Sequence, residues 1–326
     1  MNKLAILRGA GVFSGVCAAV FSMSAQAQTW PDRAIKFIVP QPPGGGFDTM
    51  ARLMADKLQQ QLGQSVVVEN RTGAGTRAGT DYAAKAAPDG YTWVFGGLSN
   101  IALNMGLYKD LPYDSLADFK PVGLAMIGTY TLVTRNDAPQ KTFAEIIAFA
   151  KANPGKLTYA SAGKGSGQHI AMAVSEALAG VQLLHVPYRG AQAAYQDVMA
   201  GRVDLFFDST STAKALVEGG SVHAIAVSSS KRLASMDKVP TLVESGIIDF
   251  SMESWSGIFL PAKTPEPVLA RMRQEMSKMM ADPAMQQRVR SIGQEPVQWS
   301  APETERFVKN EVERWTKQLR VIGLTE

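Results

Sequence analysis

Two glycine-rich loops carry the residues of this chain that are best suited to binding a ligand. The first loop, Pro42-Pro43-Gly44-Gly45-Gly46, lies between a strand pattern and a helical pattern over Asp48–Leu62. The second loop, Ser161–Gly167, lies between a strand pattern and a helical pattern over Gln168–Ala179. Glycine lets the backbone approach a ligand closely, and the first N–H groups of a helix favour negative charge. Together the loops predict a small anion that is held from two sides.

Three polar residues beside these loops have more than one interpretation. Asp48 is interpreted first as the N-cap of the first helix and second as a partner for a ligand amine. Ser166 is interpreted as the cap of the second helix, with a hydroxyl or N–H group that could also reach the ligand. His169 lies in the first turn of that helix and is either a donor to a ligand carboxylate or an exposed surface residue.

Two further sites follow strand patterns, at the edge where parallel sheets bind their ligands. Arg189 comes just before a helical pattern and is either a partner for a carboxylate or a solvated surface residue. The run Asp208–Thr212 begins another helix, so its hydroxyls are interpreted as caps first and as ligand contacts second.

Several enzyme motifs are matched only in part. Lys164 is followed by Gly165 where a P-loop needs Ser or Thr, so nucleotide hydrolysis is rejected. The run Gly73–Ala78 fits a dinucleotide-binding loop, but no acidic residue follows the next strand, so no NAD is expected. Ser166 and His169 form the one nucleophile–base candidate, and no third group orients the base. We therefore expect no catalytic residue and no enzyme.

Metal and cofactor chemistry is also not expected. The three histidines have no metal-ligand spacing, and the single cysteine, Cys17, falls in the N-terminal segment. That segment has the pattern of a secretory signal: Lys3 and Arg8 precede an apolar stretch, and Ala25-Gln26-Ala27 is a cleavage site. We predict export to the periplasm with cleavage after Ala27.

The composition of the chain limits its number of domains and the classes of partner that it could bind. The chain has 326 residues, 46% of them hydrophobic, which suits two domains of ordinary size. The net charge is +4, and loss of the two positive charges of residues 1–27 leaves +2. This bias is too weak for nucleic-acid binding, and no basic run with interleaved aromatic residues occurs.

Strand and helix patterns alternate along most of the chain, which predicts an α/β protein with mostly parallel sheets. Trp255–Leu260 is predicted as a strand that returns to the first part of the fold, followed by C-terminal helices. The expected organisation is a signal peptide over residues 1–27, a first lobe over 28–128 plus 255–326, and a second lobe over 129–254. A ligand cleft is expected between the lobes.

The sequence also resembles a known family, the Bug-type periplasmic solute-binding proteins of tripartite tricarboxylate transporters. The resemblance covers essentially the whole mature chain and rests on short stretches that occur in order. These stretches are Trp30-Pro31, Pro42–Asp48, Val68–Gly75, Pro88–Thr92, Leu111–Asp114, Tyr159–Gly163, Val186–Gly190 and Pro240–Gly246.

The resemblance implies a two-lobed, Venus-flytrap (type 2-like) binding protein without catalytic activity. It implies a di- or tricarboxylate or an aromatic acid as ligand, the membrane subunits of the transporter as partners, and we expect a monomer. One ligand carboxylate would be held by Pro43–Asp48 and by Ser161–Ser166, including Gly163 and Gly165. Ser99, Asn100, Asp208 and Thr210 are the candidates for reading the far end of the ligand. A ligand-sensing module for a membrane receptor remains the alternative function, and a periplasmic hydrolase is the less favoured one.

Overall fold

The computed structural model describes residues 30–325, so the predicted signal peptide and its cleavage site lie outside the described residues. Strands and helices alternate over most of the described chain. The strands are β1 Ile35–Val39, β2 Val66–Asn70, β3 Thr92–Gly97, β4 Phe119–Thr134, β5 Thr158–Ser161, β6 Leu184–Pro187, β7 Leu205–Ser209, β8 His223–Val227, β9 Glu253–Pro261 and β10 Glu295–Pro296. The helices are α1 Gly46–Leu62, α2 Arg77–Ala84, α3 Asn104–Leu107, α4 Phe143–Ala152, α5 Gly167–Ala179, α6 Ala191–Met199, α7 Thr210–Glu218, α8 Glu266–Ala281, α9 Pro283–Ser291 and α10 Ala301–Val321.

The strands form one continuous curled sheet with two halves. The order along the sheet is β2-β1-β3-β9-β4-β7-β5-β6, with β10 and β8 also paired to β4. The first half contains β2, β1, β3, β9, β10 and the start of β4, and the second half contains the end of β4 with β7, β5, β6 and β8. Helices pack on both halves, so the predicted α/β class is confirmed.

Strand β4 joins the two halves. Its residues Phe119–Thr129 pair with β9, and its residues Tyr130–Thr134 pair with β7. The chain therefore leaves the first half along β4 and returns to it at Glu253, where β9 begins. A strand that leaves and a strand that returns run in opposite directions. The sheet is parallel within β2-β1-β3 and within β7-β5-β6, but β9 pairs antiparallel with β3 and β4, and β4 pairs antiparallel with β7, β8 and β10. This mixed pairing corrects the expectation of mostly parallel sheets.

Buried aromatic packing fixes the start of α1, which carries the first glycine-rich loop. The Phe47 ring packs edge-on against Phe95, with ring centroids 4.9 Å apart. A Cβ at Gly97 would lie 2.7 Å from the Phe47 ring and 2.4 Å from the Trp255 carbonyl oxygen, so only glycine leaves room here. The N-terminus of α1 is therefore anchored to β3 and β9.

The predicted helices over Asp48–Leu62 and Gln168–Ala179 correspond to α1 and α5, and the predicted strand Trp255–Leu260 lies within β9. The segments that were not predicted as regular structure include the start of β4, the short strand β10, and a π-helical turn at Leu98–Leu103 that runs into α3. Within residues 30–325, no helix combines the length and the apolar character that a bilayer span requires.

Candidate functional site

A cavity of about 340 Å³ lies between the two halves of the sheet. Both halves contribute to its wall. The lining residues are Gln41–Phe47, Ser99, Met126, Tyr130, Ala162, Gln168, Arg189–Ala193, Asp208, Ser209, Ser211, Thr212, Ser254, Trp255, Ser256, Ile292 and Gln294. The volume suits a small organic molecule.

Four helices begin at this cavity. The first-turn residues that line it are Gly46 and Phe47 of α1, Gln168 of α5, Ala191, Gln192 and Ala193 of α6, and Ser211 and Thr212 of α7. The first N–H groups of each helix have no partner within the helix, and the helix dipole places partial positive charge at the same end. These features favour a negatively charged group in the cavity.

The charged side chains of the wall are one arginine and one aspartate. Arg189 is exposed at the mouth of the cavity and has no ion-pair partner among the residues that the structure describes. Asp208 is 2% exposed. Burial raises the pKa of Asp208 to about 6, although the Ser209 backbone N–H group and the Gln168 amide partly counteract this rise. At neutral pH the cavity wall thus contains one buried carboxylate and one exposed guanidinium group.

Asp48 stabilises the first loop through a hydrogen bond with the loop backbone, and it is not the N-cap of α1 that the sequence predicted. Gly45 occupies the N-cap position. The Asp48 carboxylate accepts hydrogen bonds from the Gly44 N–H group at 2.9 Å, from Arg52 Nε at 3.0 Å and from Asn70 Nδ2 at 2.9 Å. Burial alone would raise the pKa of Asp48, but the hydrogen bonds from Arg52, Gly44 and Asn70 outweigh burial and lower it. Asp48 lies outside the cavity wall.

The predicted residues of the first loop come together at the cavity. Pro43, Gly44, Gly45 and Gly46 all line it. Gly45 has an extended backbone, with φ −84° and ψ 171°, and a Cβ there would meet nothing nearer than the Pro42 carbonyl oxygen at 3.9 Å. The backbone at Gly45 is thus open toward the space that a ligand would fill.

The second loop is placed differently from the prediction, because only Ala162 of the loop and the next residue, Gln168, line the cavity. A Cβ at Gly165 would lie 2.9 Å from the hydroxyl oxygen of Tyr108, so the loop packs against the first half of the fold. Gly163 and Gly165 have positive φ angles of 117° and 80°, which turn the loop toward that contact.

The polar side chains of the second loop and of the start of α5 make local contacts. These side chains are Ser161, Ser166 and His169. Ser166 caps α5 as predicted, since its Oγ accepts the His169 backbone N–H at 3.3 Å. The His169 Nδ1 accepts the Gly165 N–H at 3.3 Å, and its ring lies 4.3 Å from the ring of His185. The hydroxyl of Ser161 contacts His185 Nε2 at 2.6 Å. These contacts position the loop and α5.

The candidates for the far end of the ligand separate into two groups. Ser99 and Asp208 line the cavity. Asn100 is fully buried, where its side chain accepts the Gly97 N–H at 2.9 Å and donates to Thr80 at 3.1 Å. Thr210 is also fully buried and shares a 2.8 Å hydrogen bond with Thr131. The structure thus gives Asn100 and Thr210 local partners away from the cavity wall.

Several lining residues were not singled out from the sequence. Gln168 directly follows the second loop, so the rule that selected the loop could have included it. Tyr130, Ser256 and Gln294 come from β4, β9 and the segment before β10. No motif marks these residues, because they reach the cavity only through the pairing of strands that are distant in the sequence.

This architecture, with two α/β halves joined through a crossing strand and a cavity lined by helix N-termini between them, is that of a two-lobed solute-binding protein. Residues 50–324 match the model of the family described as "Tripartite tricarboxylate transporter family receptor", TctC. The chain belongs to this family. Members of the family are periplasmic solute-binding proteins and not enzymes, which confirms both the resemblance and the expectation of a protein without catalytic activity.

Curated relatives match along nearly their whole length. The protein "BugT" of Bordetella pertussis is 32% identical over 324 residues, covering 99% of each chain. A protein from the tcbD-tcbE intergenic region of Pseudomonas sp. strain P51 is 36% identical over 310 residues, covering 94% of this chain and 92% of the relative.

Solved structures show the same fold. The structure "R. palustris Rpa4515 with adipate" is 31% identical, with a TM-score of 0.84 over 90% of this chain and 98% of that chain. The structure of MatC from Rhodopseudomonas palustris "with bound malate" is 30% identical, with a TM-score of 0.83 over 89% of this chain and 99% of that chain.

Proposed function

We propose that this protein captures a small organic acid in the cavity between its halves and delivers it to the membrane subunits of a tripartite tricarboxylate transporter. The observation that supports this proposal most strongly is the convergence of four helix N-termini on one cavity. An anionic ligand group there receives hydrogen bonds from backbone N–H groups and a favourable dipole from each helix.

The backbone of the first loop and the first turns of α6 and α7 are the proposed contacts of the ligand carboxylate. Gly45 and Gly46 belong to the first half, whereas Gly190 and Ser211 belong to the second. Arg189 at the mouth of the cavity supplies a positive charge that is suited to a carboxylate. A carboxylate that contacts both halves stabilises the arrangement in which they lie together.

The two halves are proposed to be the two lobes of the binding protein, with a first lobe over 28–128 plus 255–326 and a second lobe over 129–254. The change of pairing partner within β4, between Thr129 and Tyr130, supports the first boundary. The start of β9 at Glu253 supports the second. Contacts between the halves flank the cavity: Gln294 Nε2 donates to Ser209 Oγ at 3.0 Å on one side, and the Gly165 loop meets Tyr108 on the other.

The carboxylic acids bound by relatives favour the same ligand class. Solved structures of relatives contain adipate and malate, which are small acids with two carboxylates. For this chain we propose a small organic acid, bound by a monomer in the periplasm after cleavage of the signal peptide behind Ala27.

The proposal is tested by a thermal-shift screen of the mature protein against carboxylic acids, followed by calorimetry on the acids that raise the melting temperature. A ligand that binds only the folded form adds about 2.7 kcal/mol of stability at a hundredfold excess over Kd. Gly45→Val is the matched variant: its backbone angles and surrounding space accept a side chain, but the branched side chain lies where the ligand must approach. We expect the variant to fold and to lose binding. Full affinity in the folded variant would contradict a site at the first loop.

A further inference from the structure

Two serine hydroxyls of the second half lie beside the first glycine-rich loop. Ser209 is the last residue of β7, Ser211 lies in the first turn of α7, and both line the cavity. Their Oγ atoms are 2.7 Å apart and share a hydrogen bond. A Cβ at Gly46, where α1 begins, would lie 3.7 Å from Ser211 Oγ and 3.9 Å from Ser209 Oγ. The two hydroxyls therefore face the loop backbone that is proposed to bind the ligand carboxylate.

Gln294 reaches this serine pair from the first half of the fold. Its Nε2 donates to Ser209 Oγ at 3.0 Å, and the residue is 3% exposed. A Cβ at Gly128 would overlap Gln294 Oε1, so the amide oxygen packs against the Cα of β4 at a position where only glycine leaves room. A C–H neighbour suits an oxygen, and the NH2 group is left for Ser209. Both neighbours thus favour this orientation of the amide over its flipped form.

The contact between Gln294 and Ser209 lies close to the place where β4 crosses from one half to the other. Gln294 directly precedes β10, which pairs with β4 at residues 126–127. Gly293 has a φ angle of 75°, and a Cβ there would lie 3.1 Å from Ser211 Cα. This segment of the first half therefore packs against the start of α7, and its hydrogen bond to Ser209 exists only while the two halves lie together.

The hydrogen atoms of these three side chains leave one donor for the cavity. An amide NH2 group only donates, so Ser209 Oγ accepts from Gln294. Each serine hydroxyl has one hydrogen, and one of the two hydrogens lies between the Oγ atoms. The second hydrogen has no other acceptor among residues 30–325. An acceptor at position 294 would instead take the Ser209 hydrogen, Ser211 would donate to Ser209, and no hydroxyl hydrogen would remain.

We propose that Gln294 is a positioning residue of the binding site: it donates to Ser209 across the halves and so leaves one hydroxyl hydrogen of the Ser209–Ser211 pair for the ligand carboxylate. The inference rests on the proposed function and adds a contribution from the C-terminal part of the first half. It also links binding to closure, because the contact between Gln294 and Ser209 and the contact of the carboxylate with both halves form in the same closed arrangement.

Calorimetry on two glutamine variants tests this role. The probe is the acid that raises the melting temperature most in a panel that includes malate, adipate, succinate and benzoate. Gln294→Glu replaces the donor by an acceptor and should weaken binding at neutral pH by about tenfold or more, the value of a hydrogen bond to a charged group. Gln298→Glu adds the same charge at an exposed residue outside the cavity wall and should change the affinity by about twofold or less.

A double-mutant cycle with Ser209→Ala separates action through Ser209 from repulsion by the added charge. The Ser209 side chain does not cap α7, so alanine removes only the hydroxyl. In the Ser209→Ala background, Gln294→Glu should weaken binding by no more than about threefold. Gln294→Met adds no charge. It should weaken binding about fivefold when Ser209 is present and should have no effect in Ser209→Ala. Circular dichroism verifies the fold of each variant.

The pH profile gives a second readout. The carboxyl group that Gln294→Glu introduces donates again once it is protonated. The affinity ratio of the wild-type protein to this variant should therefore fall as the pH is lowered from 8 to 5. Asp208 is present in both proteins, so its own titration largely cancels in the ratio.

The outcomes separate the inference from the proposed function. Wild-type affinity in the folded Gln294→Glu protein, or an equal loss with and without the Ser209 hydroxyl, would overturn the role of Gln294 and leave carboxylate binding at the first loop intact. Failure of every carboxylic acid in the thermal-shift screen to bind the wild-type protein would instead overturn the proposed function, and this inference with it.

Discussion

Replacement of Asp208 by asparagine is expected to stabilise the ligand-free protein at neutral and alkaline pH. The pKa of this carboxyl is raised from 3.8 to about 6, because burial disfavours the charged form. Each pKa unit corresponds to about 1.36 kcal/mol, so the ionised carboxylate costs the folded state about 3 kcal/mol once the pH is well above 6. Asparagine is neutral, and its Oδ1 can keep the hydrogen bond from Gln168.

The sign of the pH dependence follows from proton binding. Between about pH 4 and 6 the folded wild-type protein binds a proton at Asp208 that the unfolded chain has already released. The wild-type protein therefore gains stability from this site as the pH falls through 6. The advantage of Asp208→Asn should be largest at pH 8 and should disappear below about pH 4.

Urea unfolding of both proteins at several pH values between 4 and 8, without ligand, measures this difference. Asp197→Asn is a control of opposite sign, because hydrogen bonds from Tyr188 and Arg202 lower the pKa of Asp197. That variant should be less stable than the wild-type protein at neutral pH, and the gap should close as the pH falls. A less stable Asp208→Asn protein at pH 8, or a gap that does not change with pH, would refute the reasoning.

Other variants test separate parts of the site. Ser166→Ala removes the cap of α5 and should lower the free energy of unfolding by about 1 kcal/mol while ligand affinity stays unchanged; a large loss of affinity in calorimetry would place Ser166 in the site. Arg189→Gln should weaken acid binding severalfold and reduce its salt dependence, as titrations at two ionic strengths would reveal. Asp48→Asn should weaken binding by loosening the first loop, whereas unchanged affinity and melting temperature would contradict its positioning role. N-terminal sequencing of the exported protein should begin at Gln28, and retention of residues 1–27 would contradict a cleaved signal.

The sequence predicted the local units of the fold because each βα unit carries its own hydrophobic period and its own glycine or capping residue. It did not predict the first part of β4. Pro121, Gly123 and Gly128 are typical breakers, yet this part of β4 pairs with β9 through register shifts at Pro121/Gly123 and Leu124/Met126. Such pairing depends on a strand more than a hundred residues away, which no local pattern reports.

The candidate site was predicted only in part, because some of its contacts also depend on segments that are distant in the sequence. The first loop, Arg189 and Asp208 follow strands, and the sheet edge brings them together as expected. The second loop was expected to face the ligand as fully as the first. Instead its positive-φ glycines turn it toward Tyr108, a contact with a distant segment. The side-chain oxygens of Asn100 and Asp48 accept hydrogen bonds from nearby backbone N–H groups. Sequence alone does not distinguish such local hydrogen bonds from contacts with a ligand.

The central claim is that helix N-termini bind a ligand carboxylate in the cavity between the halves. Calorimetry that compares the best-binding acid with its primary amide tests this claim most directly, because the amide keeps the size and shape but loses the negative charge. We predict that the wild-type protein binds the acid and that replacing the carboxylate by the amide weakens binding at least about a hundredfold, since several charge-assisted hydrogen bonds and the helix dipoles act on the charge. Equal binding of the acid and its amide would contradict the account.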